Sequence, residues 1–535
     1  MNLAAFPTTG GSSFAPCVHL FAAASTFTYG GAAVIAVVLF VATFALFSKA
    51  IRNESEWVKR VVRPATPEAL AAVRVVVFGV VLLMILREDL ATTALIPRSV
   101  LDPRGKGMIA LLVRVPGYLA FSANGPALFT FQLVLVALTL AGLLGYKARI
   151  TMPATLVGYT LFGAVLRQYT HFFHQGLIPL YVLLVLAFTP AAEALSIDAW
   201  LRKKKNLPTL EPDRPNWEMG VALWSIWAMI GLVYLAAGVA KIRNGGLAWW
   251  NADNLRSHTW TAALQPELDL PFPAALARAP NFVLAALGVG TVVVEVGAIF
   301  VLVSRRVRLL AAPAIFALHF GIFLGHALPF LDLMILPLVF AHPHHLAKVV
   351  RSIFYEPARV SVHLHAIWVD SGFRHSASAE NAPPKLQVPR SALVLIALIA
   401  ATAAPVFFKL EGYPVTSWQM YSGTHAEKKV TYLDSQAECA DGTVMSLRFD
   451  AHLKALHDNR HHTVVASYFD KKDPESKRRL HDLIARVVEL HNLAAPTAKQ
   501  IVSAEVSRRE WNWGIAPFDF HHGQIVDVYT YQPDK

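Results

Sequence analysis

The chain has 535 residues, 55% of them hydrophobic and only 16% charged, with a mean hydropathy of +0.44. Such a composition excludes a disordered chain, a coiled coil and a wholly water-soluble enzyme, because the apolar excess lies in long uncharged runs. The formal charge of +12 belongs, in a chain of this type, to cytoplasmic loops and not to a nucleic-acid surface.

Runs long enough to cross about 30 Å of hydrocarbon are expected near 30–48, 70–86, 126–146, 152–168, 176–195, 219–240, 281–303, 309–326, 328–341 and 391–408. The ninth is short enough to be tilted, re-entrant or fused with the eighth. The first 29 residues carry no Lys or Arg, so the first run reads as a retained helix and not as a cleaved leader. Cationic clusters follow the odd-numbered spans: Lys49 to Arg63, Lys147 and Arg149, Arg202 to Lys205, Arg305 to Arg308, and Lys348 to Arg359. These loops are therefore expected in the cytoplasm, and the N-terminus, the even-numbered connections and everything after 408 outside it.

From 410 onward charge and histidine return. Lys429–Leu433 and Val464–Phe469 read as short strands, and 476–493 as a helix. The expected architecture is thus an α-helical polytopic membrane protein of about ten spans with a C-terminal extracytoplasmic α+β domain. Its parts are 1–64 (N-terminal segment, first helix and linker), 65–345 (the membrane core), 346–409 (linker and last span) and 410–535 (the outer domain). Cys17 and Cys439, the two cysteines, fall on the same side, where a disulfide between them could persist.

Polar side chains at membrane depth are costly unless paired or used. His171 and His174 follow the fourth span, Lys241 closes the sixth, and His319 and His326 sit on the eighth. Tyr234, Gly238 and Lys241 repeat at helical spacing and share a stripe, and Gly238 would admit a close neighbour or a flat ligand. Lys241 has a plain alternative as a cation snorkelling to the interface, and each histidine as a hydrogen-bonded packing residue. Glu295, near the middle of the seventh span, is either protonated, paired with a cation such as Arg167 or Lys241, or part of a site. A histidine-box metal centre fits poorly, because His342, His344 and His345 lie at the opposite membrane face from His171; no metal is expected. Nor is there a phosphate-loop, nucleophile-elbow or dinucleotide motif, or a clear two-fold repeat of the transporter kind.

The run Val233-Tyr-Leu-Ala-Ala-Gly-Val-Ala-Lys241, with Gly246, Trp249 and Asn254-Leu-Arg-Ser-His258, resembles the vitamin K-dependent γ-glutamyl carboxylase and its bacterial relatives. The wider set is the horizontally transferred transmembrane domain (HTTM) family. Thr66 to Arg74, Thr170-His171, Gly176-Leu177, Ser196-Ile-Asp198, Glu295 and His319 agree with the same pattern over about 60–345. Ser417-Trp-Gln-Met420 and Lys429-Val-Thr-Tyr432 weakly resemble the carboxylase's lumenal domain.

The resemblance implies a lyase-class enzyme whose cofactor is vitamin K hydroquinone or a menaquinol-type quinol, with O2 and CO2 as co-substrates. Oxidation of the quinol to its epoxide would generate the base that removes a glutamate γ-proton, and the carbanion would capture CO2. On this resemblance Lys241, unprotonated, starts quinol oxidation, and His171 and His319 stabilise the oxygenated intermediate. Tyr234, Gly238, His174 and Glu295 would hold the quinol; Arg256, His258, Trp418, Met420 and His425 would receive a Glu-containing peptide or protein. The chain departs from the pattern at Ala240, where the carboxylase has a second lysine, and at Thr170, where it has Asn. Alternatives are a quinol epoxidase or oxidoreductase without carboxylation, and a non-catalytic membrane scaffold. Besides quinol and acceptor, the expected partners are membrane lipids, with no nucleic acid. The expected location is a bacterial inner membrane with the site and tail facing the periplasm.

Overall fold

The computed structural model describes residues 62–101, 107–169, 173–265, 268, 270–341, 343–355, 399, 405, 412–414, 416–418, 422–424, 428–457, 460–514 and 523–533. The helices that build the membrane unit begin where side chains satisfy their first backbone donors. Thr66 caps α1 (Pro67–Arg87), accepting from the Ala69 amide, and proline fills the first helical position. Asn124 caps α2 (Gly125–Leu144) in the same way, and Gly145 leaves it in the left-handed conformation with φ +63°. The first amides of α3 (Ala148–Leu166) are served from a distance, because Asp198 accepts from the Lys147 and Ala148 amides at 2.8 Å each.

Beyond α3 come α4 (Leu177–Ala187), α5 (Trp217–Gly245), α6 (Ala252–Leu264), α7 (Asn281–Gly297), α8 (Arg305–His326), α9 (Leu331–Ile335) and α10 (Pro343–Tyr355). Among the described residues, six helical segments are long and apolar enough to cross a membrane, namely α1, α2, α3, α5 with its extension to Trp250, α7 with its extension to Leu302, and α8. They correspond to six of the expected runs. The run 176–195 forms only the 11-residue α4, about 16 Å long at 1.5 Å per residue. The run 328–341 breaks into α9 and a 3-10 turn to Phe340. The runs 30–48 and 391–408 fall almost wholly outside the described residues.

Large apolar side chains cover the outward faces of α2 and α7, including Phe129, Leu133 and Val293, as lipid contact requires. Inward, α1, α4 and α5 share the main core. Arg74, fully buried in α1, donates to the carbonyls of Ala191 (2.9 Å) and Leu195 (2.6 Å) and so ties α1 to the chain after α4.

The C-terminal part contains an antiparallel sheet in the order β2-β1-β3-β4, formed by β1 (Lys429–Cys439), β2 (Val444–Ser446), β3 (Ile501–Asn512) and β4 (Gln524–Tyr531). Two helices, α11 (Arg460–Phe469) and α12 (Pro474–Ala494), pack with it. Val464–Phe469, expected as a strand, lies within α11. Val464, Val465, Tyr468 and Phe469 are buried, which is one helical face, so packing overrides the β-propensity of the pair of valines. Cys439 is buried at the end of β1; its proposed partner Cys17 lies outside the described residues.

The tail is bonded to the membrane unit. At the end of α1 the Glu88 carboxylate receives both terminal nitrogens of Arg460, at 2.6 and 2.8 Å, and lies 3.1 Å from His457 Nε2. Burial alone would raise this carboxyl, but Arg460 and His457 more than reverse that and hold it well below the usual carboxylate range. Tyr468 adds a hydrogen bond to the Val100 carbonyl at 2.7 Å.

Candidate functional site

Gly238 sets the geometry of the site. A β-carbon there would come within 2.8 Å of Val296 and 3.1 Å of Glu295, so the missing side chain is what lets α5 and α7 approach. One turn further along α5, Lys241 Nζ lies 2.8 Å from Glu295 Oε1, with both side chains under a tenth exposed. Its position near a helix end permits snorkelling, but the amine turns inward, with the Trp249 ring centroid 5.4 Å away. Of the cations considered for Glu295, Lys241 is the partner. Arg167 is engaged elsewhere, by the carbonyls of Gly163, Phe173 and Gln175.

Two turns before Lys241 on the same stripe, the Tyr234 hydroxyl lies 2.8 Å from His319 Nε2 on α8. The imidazole stands edge-on to Phe330 at 5.8 Å. The second atoms of both acid–base groups, Glu295 Oε2 and His319 Nδ1, are buried and have no hydrogen-bond partner among the described residues. Buried polar atoms of this kind carry a desolvation cost and are met at sites that bind something.

These four residues face one cavity, which encloses about 850 Å³ of space including its opening to solvent. Apolar side chains such as Ile178, Val233, Leu255, Ile322 and Leu333 supply most of its wall. His258, Thr291, His326 and Trp418 complete it. Trp418, from the tail, is fixed from two sides. Its amide donates to Thr416 Oγ1, which also lies 2.9 Å from His174 Nε2, and the Tyr181 ring meets its indole edge-on at 6.0 Å. Asn244 near the end of α5 donates to Ser422 Oγ at 2.8 Å, closing the junction between α5 and the tail.

Tyr234, Lys241, Glu295 and His319 are thus brought together, with His258 and Trp418 in the same wall. His174 braces that wall through Thr416 and Trp418, and Gly238 acts through helix approach. Arg256 is placed elsewhere, donating to the carbonyls of Ala277 and Ala279 (2.9 Å each) and to Asn281 Oδ1 (2.8 Å), which fixes the chain before α7. His171, Met420 and His425 lie outside the described residues. Phe330, Thr291 and Ile322 join the lining without a signal in the sequence, since apolar and small residues are common on every span. Asp332, buried, accepts from the Gly176 amide at 2.9 Å. An acid inside an apolar run was the available clue to it.

The site makes Gly238→Val a sharp test of helix approach. Overpacking there should cost about 1–3 kcal/mol, lower the melting temperature and separate Lys241 from Glu295; an unchanged melting temperature would show that α5 and α7 have room to spare.

Helices of spanning length that enclose two polar pairs, with a tryptophan from an α+β tail in the same wall, are those of a helical multi-pass membrane protein. The chain belongs to the HTTM domain family, whose model matches residues 62–344. That domain is associated with vitamin K-dependent carboxylase-like proteins. No curated protein and no solved structure matches the chain.

Proposed function

We propose that the protein is a quinol-dependent enzyme of the γ-glutamyl carboxylase type, working on a Glu-containing peptide or protein. The observation that carries this reading is the placement of the Lys241–Glu295 pair and the Tyr234–His319 pair on the wall of one largely apolar cavity. The chain's residues suit a flat lipid-soluble quinol: aliphatic walls exclude water, and the orphaned Glu295 Oε2 and His319 Nδ1 offer polar contacts to ring oxygens. When bound, vitamin K hydroquinone or a menaquinol-type quinol would supply, with O2, the oxidation that drives γ-proton removal and CO2 addition.

In this scheme Lys241 Nζ takes the proton of a quinol hydroxyl. Because Nζ and Glu295 Oε1 are in contact, a proton already on Nζ has a carboxylate to receive it, and the pair stays neutral whichever atom holds it. His319 is oriented through Nε2 by the Tyr234 hydroxyl, leaving Nδ1 for the reacting oxygen. His171 is proposed to share that stabilising role. Trp418 and His258, with Met420 and His425, are proposed to meet the acceptor. The placement proposed is a bacterial inner membrane with pocket and tail on the periplasmic side, supported by the cationic loops after alternate spans.

A second reading, quinol oxidation without carboxylation, is favoured by one fact: Arg256, the expected anchor for an acidic peptide, is engaged with backbone carbonyls. Labelled bicarbonate, reduced vitamin K, O2 and a Glu peptide given to purified protein should yield labelled peptide. Lys241→Ala should lower the yield about a hundredfold or more. Epoxide without label would move the assignment to the second reading, and neither product from folded protein would favour a scaffold.

A further inference from the structure

At the end of the bundle remote from Lys241, a second cavity of about 900 Å³ opens where α1, α5 and α8 begin. Arg63, Arg305 and Arg308 line it, and none of its lining residues is acidic. Three guanidinium groups sharing one concavity repel unless an anion lies between them. Arg308 is held in place, with Nη1 donating to the Val301 carbonyl at 2.6 Å and its guanidinium 4.4 Å from the Trp227 ring centroid. That indole is itself committed, donating to the Val339 carbonyl at 2.9 Å. Arg305 Nε is buried with no hydrogen-bond partner among the described residues.

The remaining wall is apolar, including Leu223, Trp224, Leu309 and Phe340. Guanidinium forks match pairs of phosphate oxygens, and the indole and aliphatic surfaces suit the hydrocarbon that an ester would carry. Position argues for a lipid over a dissolved ion. Gly220, in this wall, precedes Lys241 by 21 residues on one helix, roughly 30 Å at 1.5 Å per residue, which is about one hydrocarbon thickness. The cavity therefore lies at headgroup level on the face opposite the tail. Val303 and Leu310 are exposed beside it, giving an acyl chain an apolar path along the outside of the bundle.

We propose that this cavity binds the phosphate headgroup of an anionic phospholipid from the leaflet opposite the tail domain, in the manner of basic pockets between membrane helices. The full-length protein in detergent is titrated with dioctanoyl-phosphatidylglycerol, dioctanoyl-phosphatidylcholine or inorganic phosphate, and retained lipid is read by native mass spectrometry. The expected result is saturable retention of one phosphatidylglycerol at a concentration about tenfold below that for phosphatidylcholine. R63Q/R305Q should raise the half-saturating concentration about tenfold with an unchanged melting temperature, and R63K/R305K should recover part of the loss.

Equal retention of the two lipids, or no effect of R63Q/R305Q, would overturn the proposal. Inorganic phosphate displacing phosphatidylglycerol at comparable concentration would replace the lipid by a soluble anion and overturn it equally. Should R63Q/R305Q fail to fold, a photoactivatable phosphatidylglycerol on the wild-type chain decides. Adducts on 220–227 or 305–309 support the site, and adducts confined elsewhere refute it.

Discussion

Glu295→Ala should destabilise the protein by about 3–5 kcal/mol, because it leaves the Lys241 amine buried without the carboxylate that now lies 2.8 Å from it. Lys241→Met should cost a similar amount from the other side, stranding a carboxylate in apolar surroundings. The double variant Lys241→Met/Glu295→Leu replaces the pair by apolar groups of similar volume, which is commonly neutral or stabilising, so most of the lost stability should return. Quinol turnover should not return with it. A double-mutant cycle on thermal unfolding, run beside a quinol-consumption assay, checks both halves. If the two single losses simply add in the double variant, the pair is not a coupled unit; if the double variant still oxidises quinol, the proposed base is wrong.

The second large effect is expected where the tail meets the membrane unit. Arg460→Ala removes the two guanidinium hydrogen bonds to an almost fully buried Glu88, leaving it His457 alone of these two cationic partners, and should likewise cost about 3–5 kcal/mol. Its signature is a pH dependence. Since the folded Glu88 carboxyl lies below its ordinary value of 4.5, the pair's contribution is present above that value and is lost as pH falls through the folded pKa. Wild-type protein should therefore lose melting temperature on acidification below about pH 4.5, and Glu88→Gln/Arg460→Met should lose less over the same interval. Parallel acid profiles for the two proteins would show that Glu88 does not titrate with unfolding.

The helices were legible because hydrophobic length is written directly in composition, and Lys241, Glu295 and His319 because charge and imidazole in apolar runs demand a reason. The pairing of Lys241 with Glu295 was visible only as one of two options, since sequence spacing constrains neighbours on one helix and says nothing of rotation between two. The Tyr234–His319 contact joins residues 85 apart in sequence and depends on that same rotation. Arg256 shows a feature that spacing does not reveal. A cation in a motif beside a tail expected to bind peptide reads as a binding group, yet unsatisfied carbonyls at the end of a loop engage it as effectively. Val464–Phe469 misled because two β-branched residues dominate a short window, whereas its burial spacing becomes apparent only when Arg460 to Phe469 is seen as one turn after another.

Phe173 lies between two guanidinium groups, with Arg167 of the membrane unit and Arg460 of the tail each 4.1 Å from its ring centroid. It is also two residues from His171 and adjacent in sequence to His174, which contacts Thr416. One aromatic ring thus joins a cation of each part of the chain, so that the tail and the membrane unit are held together by a cation–π sandwich beside His174 as well as by the Glu88–Arg460 pair.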